Sequence, residues 1–269
     1  MSSLANKVIW LTGASSGIGE ALAYELAKKG ARLILSARRK EELERVKGNC
    51  IPSSQPDVRI LPLDLTQSAT LRLTTDAAIQ VFGHVDILIN NGGISQRSFA
   101  KDTLLEVDRR IMEVNFFGAV ALTKYLLPHF LARKQGHFVT VTSVTGIFGT
   151  PWRSTYAASK HALHGFFDSL RAELYKELKN NIAVTILCPG FIHTPITLSA
   201  VTGDGTPLGK MDEGQYKGKS ATWCAQRMVT AIEFRKEEVY IGGKETLGVR
   251  FKRLFPKLFS KYIRNAAVR

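Results

Sequence analysis

Apolar residues arrive along this chain in two rhythms. Short apolar runs fall near 7–12, 32–37, 58–63, 86–90, 137–143, 182–188 and 238–241. Between them, near 17–29, 40–47, 67–82, 104–134, 154–179 and 220–235, lie longer amphipathic stretches. The first pattern predicts buried strands and the second predicts helices packed on them. Strands that alternate with helical crossovers imply a parallel sheet, and right-handed crossovers put helices on both of its faces. The expected fold is therefore α/β, a doubly wound parallel seven-stranded sheet of the Rossmann kind in three layers, α/β/α. Ligands in such folds bind beyond the carboxyl ends of the strands.

Residues 1–245 contain no break in this alternation, so they are expected to form one dinucleotide-binding domain with a built-in active site. Two stretches, 53–56 and 203–209, are loops by composition; the second lies in a long crossover whose length suggests a lid around 195–218. Residues 246–269 form a separate pattern, a basic amphipathic extension. Phe251, Leu254, Phe255, Leu258, Phe259, Tyr262 and Ile263 recur at three- and four-residue steps, while Arg250, Arg253, Lys257, Lys261 and Arg264 follow their own stripe. Pro256 is expected to start or kink that helix. Such a segment can lie in an anionic membrane interface or pack its apolar face on protein.

The composition, 45% hydrophobic and 22% charged over 269 residues, excludes disorder, collagen and coiled coil. The charge is 37 − 23 = +14, and seven of the cations, Arg250, Lys252, Arg253, Lys257, Lys261, Arg264 and Arg269, stand in the extension without an acid beside them. No helix-turn-helix, zinc-finger or RNA-binding signature accompanies that excess, so no nucleic-acid partner is expected. No run approaches the roughly 18 apolar residues of a membrane span, and the first residues lack the apolar core of a secretory signal. A cytoplasmic location, peripheral on a membrane at most, is expected. Cys50, Cys188 and Cys224 are far apart and form no metal-ligand spacing, so they are expected to be reduced thiols with no metal.

Candidate chemistry begins where the first strand runs into Thr12, Gly13, Ala14, Ser15, Ser16, Gly17, Ile18 and Gly19. Glycines there permit a tight turn and close approach of a diphosphate, met by backbone N–H groups at the helix start. The second strand ends in Arg38 and Arg39, where an enzyme selecting NAD would place a carboxylate for the ribose. Guanidinium groups suit a 2′-phosphate, so NADP(H) is expected to be preferred, with NAD(H) possible. Tyr156 and Lys160 are four apart on a helical stretch and share a face. An ammonium beside a phenol lowers its pKa from about 10 towards a useful range. With Ser143 at the end of the fifth strand, they form a candidate proton-transfer site.

Taken in order, the glycine turn, Asn90-Asn91-Gly92-Gly93, Asn115, Ser143, Tyr156-Ala157-Ala158-Ser159-Lys160 and Pro189-Gly190 resemble the short-chain dehydrogenase/reductase family over about residues 5–245. The resemblance implies a single Rossmann domain, assembled as a homodimer or homotetramer. It implies that Ser143 orients the substrate oxygen, that Tyr156 is the general acid or base, and that Lys160 holds the nicotinamide ribose and lowers the tyrosine pKa. It gives Asn115 a supporting role in a proton path to Lys160. It places Asp64 and Leu65 at the adenine, Asn91 and Gly92 at the adenosine ribose, and Pro189, Gly190, Ile192 and Thr194 around the nicotinamide carboxamide. One departure is Gly92, where the family carries Ala.

The surroundings of Tyr156, continuing through Phe166, Phe167 and Glu173, resemble the lipid-associated branch that includes hydroxysteroid dehydrogenases. That branch often carries an N-terminal membrane anchor, which is not expected here. Val144, Ile147, Phe148 and Trp152, with Phe99, Phe191 and the lid, suggest an apolar pocket for a ketone, aldehyde or secondary alcohol of steroid, retinoid, lipid or xenobiotic type. Phe148 and Trp152 could instead pack at a subunit interface. The competing function is a catalytically silent scaffold that binds a dinucleotide. His161 and His164 are expected to be packing or surface residues, and His193 to lie beside the nicotinamide segment.

Overall fold

The computed structural model describes residues 3–179 and 181–265, so Met1, Ser2 and the end of the basic extension, including Arg269, lie outside the described residues. In chain order the first half runs β1 (Val8–Thr12), α1 (Gly17–Lys28), β2 (Arg32–Ser36), α2 (Lys40–Gly48), β3 (Val58–Ile60), α3 (Ser68–Phe82), β4 (Ile87–Asn90), α4 (Leu105–Met112) and α5 (Gly118–Arg133). The second runs β5 (Gly136–Val141), α6 (Ser154–Leu178), β6 (Ile182–Pro189), β7 (Ile192–His193), α7 (Glu213–Tyr216), β8 (Lys219–Ser220), α8 (Ala221–Glu233), β9 (Glu238–Ile241), α9 (Leu247–Leu254) and α10 (Pro256–Arg264). Seven strands form one parallel sheet in the order β3-β2-β1-β4-β5-β6-β9. The order reverses at β1, whose neighbours are β2 and β4, and the crevice between the ends of β1 and β4 is where a doubly wound sheet binds its ligand.

Alternation along each strand divides the core in two. Ile9, Leu11, Leu33 and Leu35 face α1 and α8, where Leu22, Leu26, Met228 and Ile232 complete one apolar layer. Val8, Trp10, Ile34 and Leu88 face the other way, among Leu71, Leu122, Phe130, Leu163 and Phe167 of α3, α5 and α6. Burying each such large side chain contributes about 1.5–3 kcal/mol. The one polar atom of Trp10 is satisfied, its Nε1–H donating to Ser36 Oγ at 2.9 Å.

The helix expected across 104–134 is interrupted. Glu113–Phe117 widens into a π-turn between α4 and α5. The extra residue turns Asn115 inward, where its amide brackets the backbone of Ile94: Oδ1 accepts from Ile94 N–H at 2.8 Å and Nδ2 donates to Ile94 C=O at 2.9 Å. Apolar periodicity is nearly blind to such an insertion, because helical pattern continues on either side.

Beyond the sheet, α9 and α10 fold back on the body. Pro256 opens α10. Val249 and Phe259 are buried against Val144 and Phe148, with the Phe148 and Phe259 rings 5.1 Å apart. Leu254, Phe255, Leu258 and Tyr262 remain more than half exposed. The apolar face of the extension is thus partly packed on its own chain and partly bare. Among the described residues no helix is long and apolar enough to cross a membrane.

His137, in the middle of the sheet on β5, is buried and shares a 2.8 Å hydrogen bond with Thr185 Oγ1. Burial holds its imidazole down at about 3, against an ordinary 6.5. Below 6.5 the unfolded chain binds a proton that the folded chain refuses, so stability falls as pH drops towards 3. One such proton contributes about 1.4 kcal/mol per pH unit in that window. Urea titrations of a His137→Gln variant are expected to show a stability curve shallower by about that slope; an unchanged slope would contradict the assignment.

Candidate active site

The glycine turn is shaped by contacts that leave no room for side chains. Gly13 adopts φ +65°, and a Cβ there would meet Gly92 Cα at 2.7 Å; a Cβ on Gly19 would stand 2.1 Å from Gly13 O. Thr12 Oγ1 accepts from the N–H groups of Asn91 and Gly92, each at 3.0 Å, and Asn91 Nδ2 donates back to the carbonyls of Thr12 and Gly13. This network joins the ends of β1 and β4 and holds the turn open. Ser16 occupies the N-cap of α1 but makes no capping hydrogen bond, which leaves the first N–H groups of the helix to a ligand. Gly92 has a local reason as well: an alanine Cβ would press on Leu65 Cδ1 at 2.8 Å.

Arg38 and Arg39 stand exposed past β2, on the rim of the same cleft. Neither side chain has a hydrogen bond or ion pair among the described residues. Asp64 and Leu65 line the cleft below them, and one Asp64 oxygen, Oδ1, is taken by the N–H and hydroxyl of Thr66. Gly13, Ser15, Ser16, Gly17, Ile18, Gly19, Asn91, Gly92, Pro189, Gly190, Ile192 and Thr194 line it too, so the residues expected at a dinucleotide form one surface. Its donor-rich helix start, glycine-lined floor and unpaired guanidinium groups fit a phosphate-bearing dinucleotide.

At the other end of this cavity of about 850 Å³ are Ser143, Tyr156 and Lys160. Ser143 Oγ accepts from Thr145 N–H at 3.1 Å, and Ser143 and Tyr156 line the cavity together. Lys160 donates to Val141 C=O at 2.9 Å, with its Nζ 5.8 Å from the centroid of the Tyr156 ring. Burial holds the Lys160 ammonium down at about 8. Burial also pushes the Tyr156 phenol up, opposed in turn by the positive charge of Arg153, the neighbouring Ser143 hydroxyl and the charge of Arg97. Asn115 reaches α6 through a 3.0 Å bond from its Nδ2 to Ser159 Oγ, one residue before Lys160.

Several functional positions carry no motif. Gln96 is fully buried, and its Oε1 accepts from the N–H groups of Thr155 and Tyr156 at 2.9 and 3.1 Å. It caps α6 from another loop, because Arg153 at the N-cap position makes no side-chain cap, and so fixes the helix turn that carries Tyr156. Glu245 Oε1 accepts from Phe191 N–H at 2.9 Å and Gly243 N–H at 2.8 Å, bracing the segment after Pro189 and Gly190. Arg97 and Arg153 also line the cavity, sharing the carboxylate of Asp212.

The structure redraws the expected pocket. Phe148, Phe191 and the lid residues Pro195, Ile196, Ser199, Val201 and Pro207 line it, joined by Leu247, Phe251, Phe259, Tyr262 and Ile263 from α9 and α10. Phe99 and Trp152 do not: their rings stack on each other at 4.3 Å outside the cavity. His193 is exposed and directed at Tyr216 O, 2.9 Å away, also outside it. His164 is a packing residue, and Cys188 is buried beside it. The fold brings His164, Cys188 and Glu238 within 4.8 Å of one another, with His164 Nε2 3.7 Å from Cys188 Sγ and Nδ1 3.8 Å from Glu238 Oε1. The imidazole offers a different nitrogen to each neighbour, which makes it a bridge between α6, β6 and β9.

The family described as short chain dehydrogenase matches residues 7–204. The chain is 44% identical over 251 residues to dehydrogenase/reductase SDR family member 7 of Homo sapiens, covering 92% of this chain and 74% of that protein. It is 40% identical over 268 residues to dehydrogenase/reductase SDR family member 7B of Mus musculus, covering 98% and 82%. The fold superposes with a TM-score of 0.82, at 25% identity and 96% coverage of both chains, on a short chain dehydrogenase/reductase from Burkholderia phymatum solved in complex with NAD.

Proposed function

Since this chain belongs to the short-chain dehydrogenase family, we propose that it is an NADP(H)-dependent oxidoreductase interconverting a carbonyl and a secondary alcohol on an apolar, steroid- or lipid-like substrate. The observation that carries this reading is a single cavity that runs from the glycine turn and Arg38 to Ser143, Tyr156 and Lys160. A nicotinamide dinucleotide bound there supplies or accepts the hydride. Ser143 holds the substrate oxygen by a hydrogen bond, and Tyr156 Oη gives that oxygen a proton in reduction or takes one in oxidation. Lys160, anchored on Val141 C=O, keeps its ammonium beside the phenol and the ribose side of the cleft. Asn115 holds the loop after β4 and the first turns of α6 in register.

A carbonyl panel read by NADPH oxidation tests the reading. Turnover of apolar ketones or aldehydes is expected; activity confined to small sugars would overturn the substrate class, and cofactor binding with no turnover would favour a silent scaffold. Arg38 is proposed to select the 2′-phosphate. Arg38→Ala is expected to raise the KM for NADPH by about tenfold or more while leaving that for NADH nearly unchanged, the loss of one charge-assisted pair. An unchanged ratio would remove Arg38 from the selectivity argument. The bare side of α9 and α10, with Leu254, Phe255 and Leu258 beside Lys257 and Lys261, suits a peripheral contact with an anionic membrane. A homodimer or homotetramer in the cytoplasm completes the proposal.

A further inference from the structure

Arg97, Arg153 and Asp212 are buried, with 6, 5 and 5% of their surfaces exposed. A single oxygen, Asp212 Oδ2, accepts from Arg97 Nη2 at 2.9 Å and from Arg153 Nη2 at 3.0 Å, while Oδ1 accepts from Gln215 N–H. Two guanidinium groups therefore share one carboxylate, and a net positive charge is left in a site nearly closed to water. That is costly to desolvate unless an anion completes it. Nor is the donor capacity used up. The Nε atoms of both arginines are buried without a partner, and Arg153 Nη1 makes no hydrogen bond among the described residues.

Two carboxylates line the cavity with these arginines, Asp64, which stands with Arg38 and Arg39 at the nucleotide cleft, and Glu245. Both arginines line it beside Ser143 and Tyr156, and Arg110 lines it from α4 with no ion-pair partner among the described residues. The Tyr156 phenol, pushed up by burial, stays protonated near neutral pH. The Glu245 carboxylate is turned away onto two backbone N–H groups. The same cavity carries an aromatic wall of Phe148, Phe251, Phe259 and Tyr262. The chamber thus offers a cationic pair for an anion and an aromatic surface for hydrocarbon.

We propose that the substrate is an amphipathic oxo acid, or its hydroxy acid, whose carboxylate is held by Arg97 and Arg153. Its hydrocarbon body lies on the aromatic wall and its carbonyl oxygen meets Ser143 and Tyr156. Arg153 precedes Tyr156 by three residues, about one helical turn of roughly 5 Å, so the carboxylate sits only a few bonds from the reacting carbon. The carboxylate is a handle: it stays ionised and takes no part in the reduction. This inference rests on the oxidoreductase reading and narrows its substrate class.

The test compares a medium-chain γ-oxo fatty acid with its own methyl ester, which keeps the carbonyl and chain and removes only the charge. The wild-type enzyme with NADPH is expected to favour the acid at least tenfold in kcat/KM, mainly through KM. Arg97→Gln and Arg153→Gln are each expected to cut that preference at least tenfold, while Asp212→Asn, which removes the competing negative charge, preserves or raises it. Equal or better turnover of the ester by the wild type would overturn the inference and leave the oxidoreductase reading standing. A second measurement does not depend on turnover or on how the variants fold. The NADP-loaded wild type is expected to be stabilised against heat by the γ-oxo acid, with which the oxidised cofactor cannot react, and not by its methyl ester; equal stabilisation would overturn the carboxylate site. Absence of turnover with every carbonyl, neutral or acidic, would count instead against the oxidoreductase reading.

Discussion

Tyr156→Phe is expected to lower kcat about a thousandfold, in the middle of the range that general acid–base groups contribute. The substitution removes a single oxygen. The ring keeps its place near Lys160, and the N–H of residue 156 still donates to Gln96 Oε1. Affinity for NADPH should therefore change by no more than about twofold, because the glycine turn, Arg38 and Lys160 all keep their places. Stopped-flow reduction under single-turnover conditions, with fluorescence titration of NADPH, separates the two quantities. A drop in rate of less than about tenfold would mean that another group or a water moves the proton.

The second large effect belongs to the glycine turn. Gly19→Ala sets a methyl group 2.1 Å from Gly13 O and 2.6 Å from Asn91 Nδ2, so backbone has to move in the network that joins β1 to β4. Overpacking of this kind costs about 1–3 kcal/mol, and the displacement falls on the atoms that would meet a diphosphate. The Kd for NADPH is expected to rise by about tenfold to a hundredfold. Gly165→Ala on α6 is the matched control, since nothing lies within 4 Å of the added Cβ and binding should be unaffected. Equal loss in both variants would point to general destabilisation rather than to the turn.

The strands of the large sheet were legible because a buried parallel strand is apolar throughout, as Val8-Ile9-Trp10-Leu11 is, and the glycine turn because its backbone geometry dictates residue type. Ser143, Tyr156 and Lys160 were legible through short-range order. The partners that hold these residues were not, since they come from distant parts of the chain. Arg97 and Asp212 are 115 residues apart, and Thr155 lies 59 residues from Gln96, so nothing local distinguishes Arg97 or Arg153 from a solvated surface cation. Phe99 misled in the opposite sense: an aromatic residue near the site in sequence finds Trp152 rather than the cavity. The π-turn at Asn115 was hidden because a one-residue insertion barely disturbs the apolar stripe.

The last strand of the sheet ends at Ile241, while part of the aromatic wall belongs to α9 and α10, which follow it. The residues that line the nucleotide cleft come mainly from β1, β2, β4 and the loops after them, whereas this aromatic lining hangs on two helices docked through Val249 and Phe259 on Val144 and Phe148, so undocking them would open one part of the chamber and leave the dinucleotide surface in place.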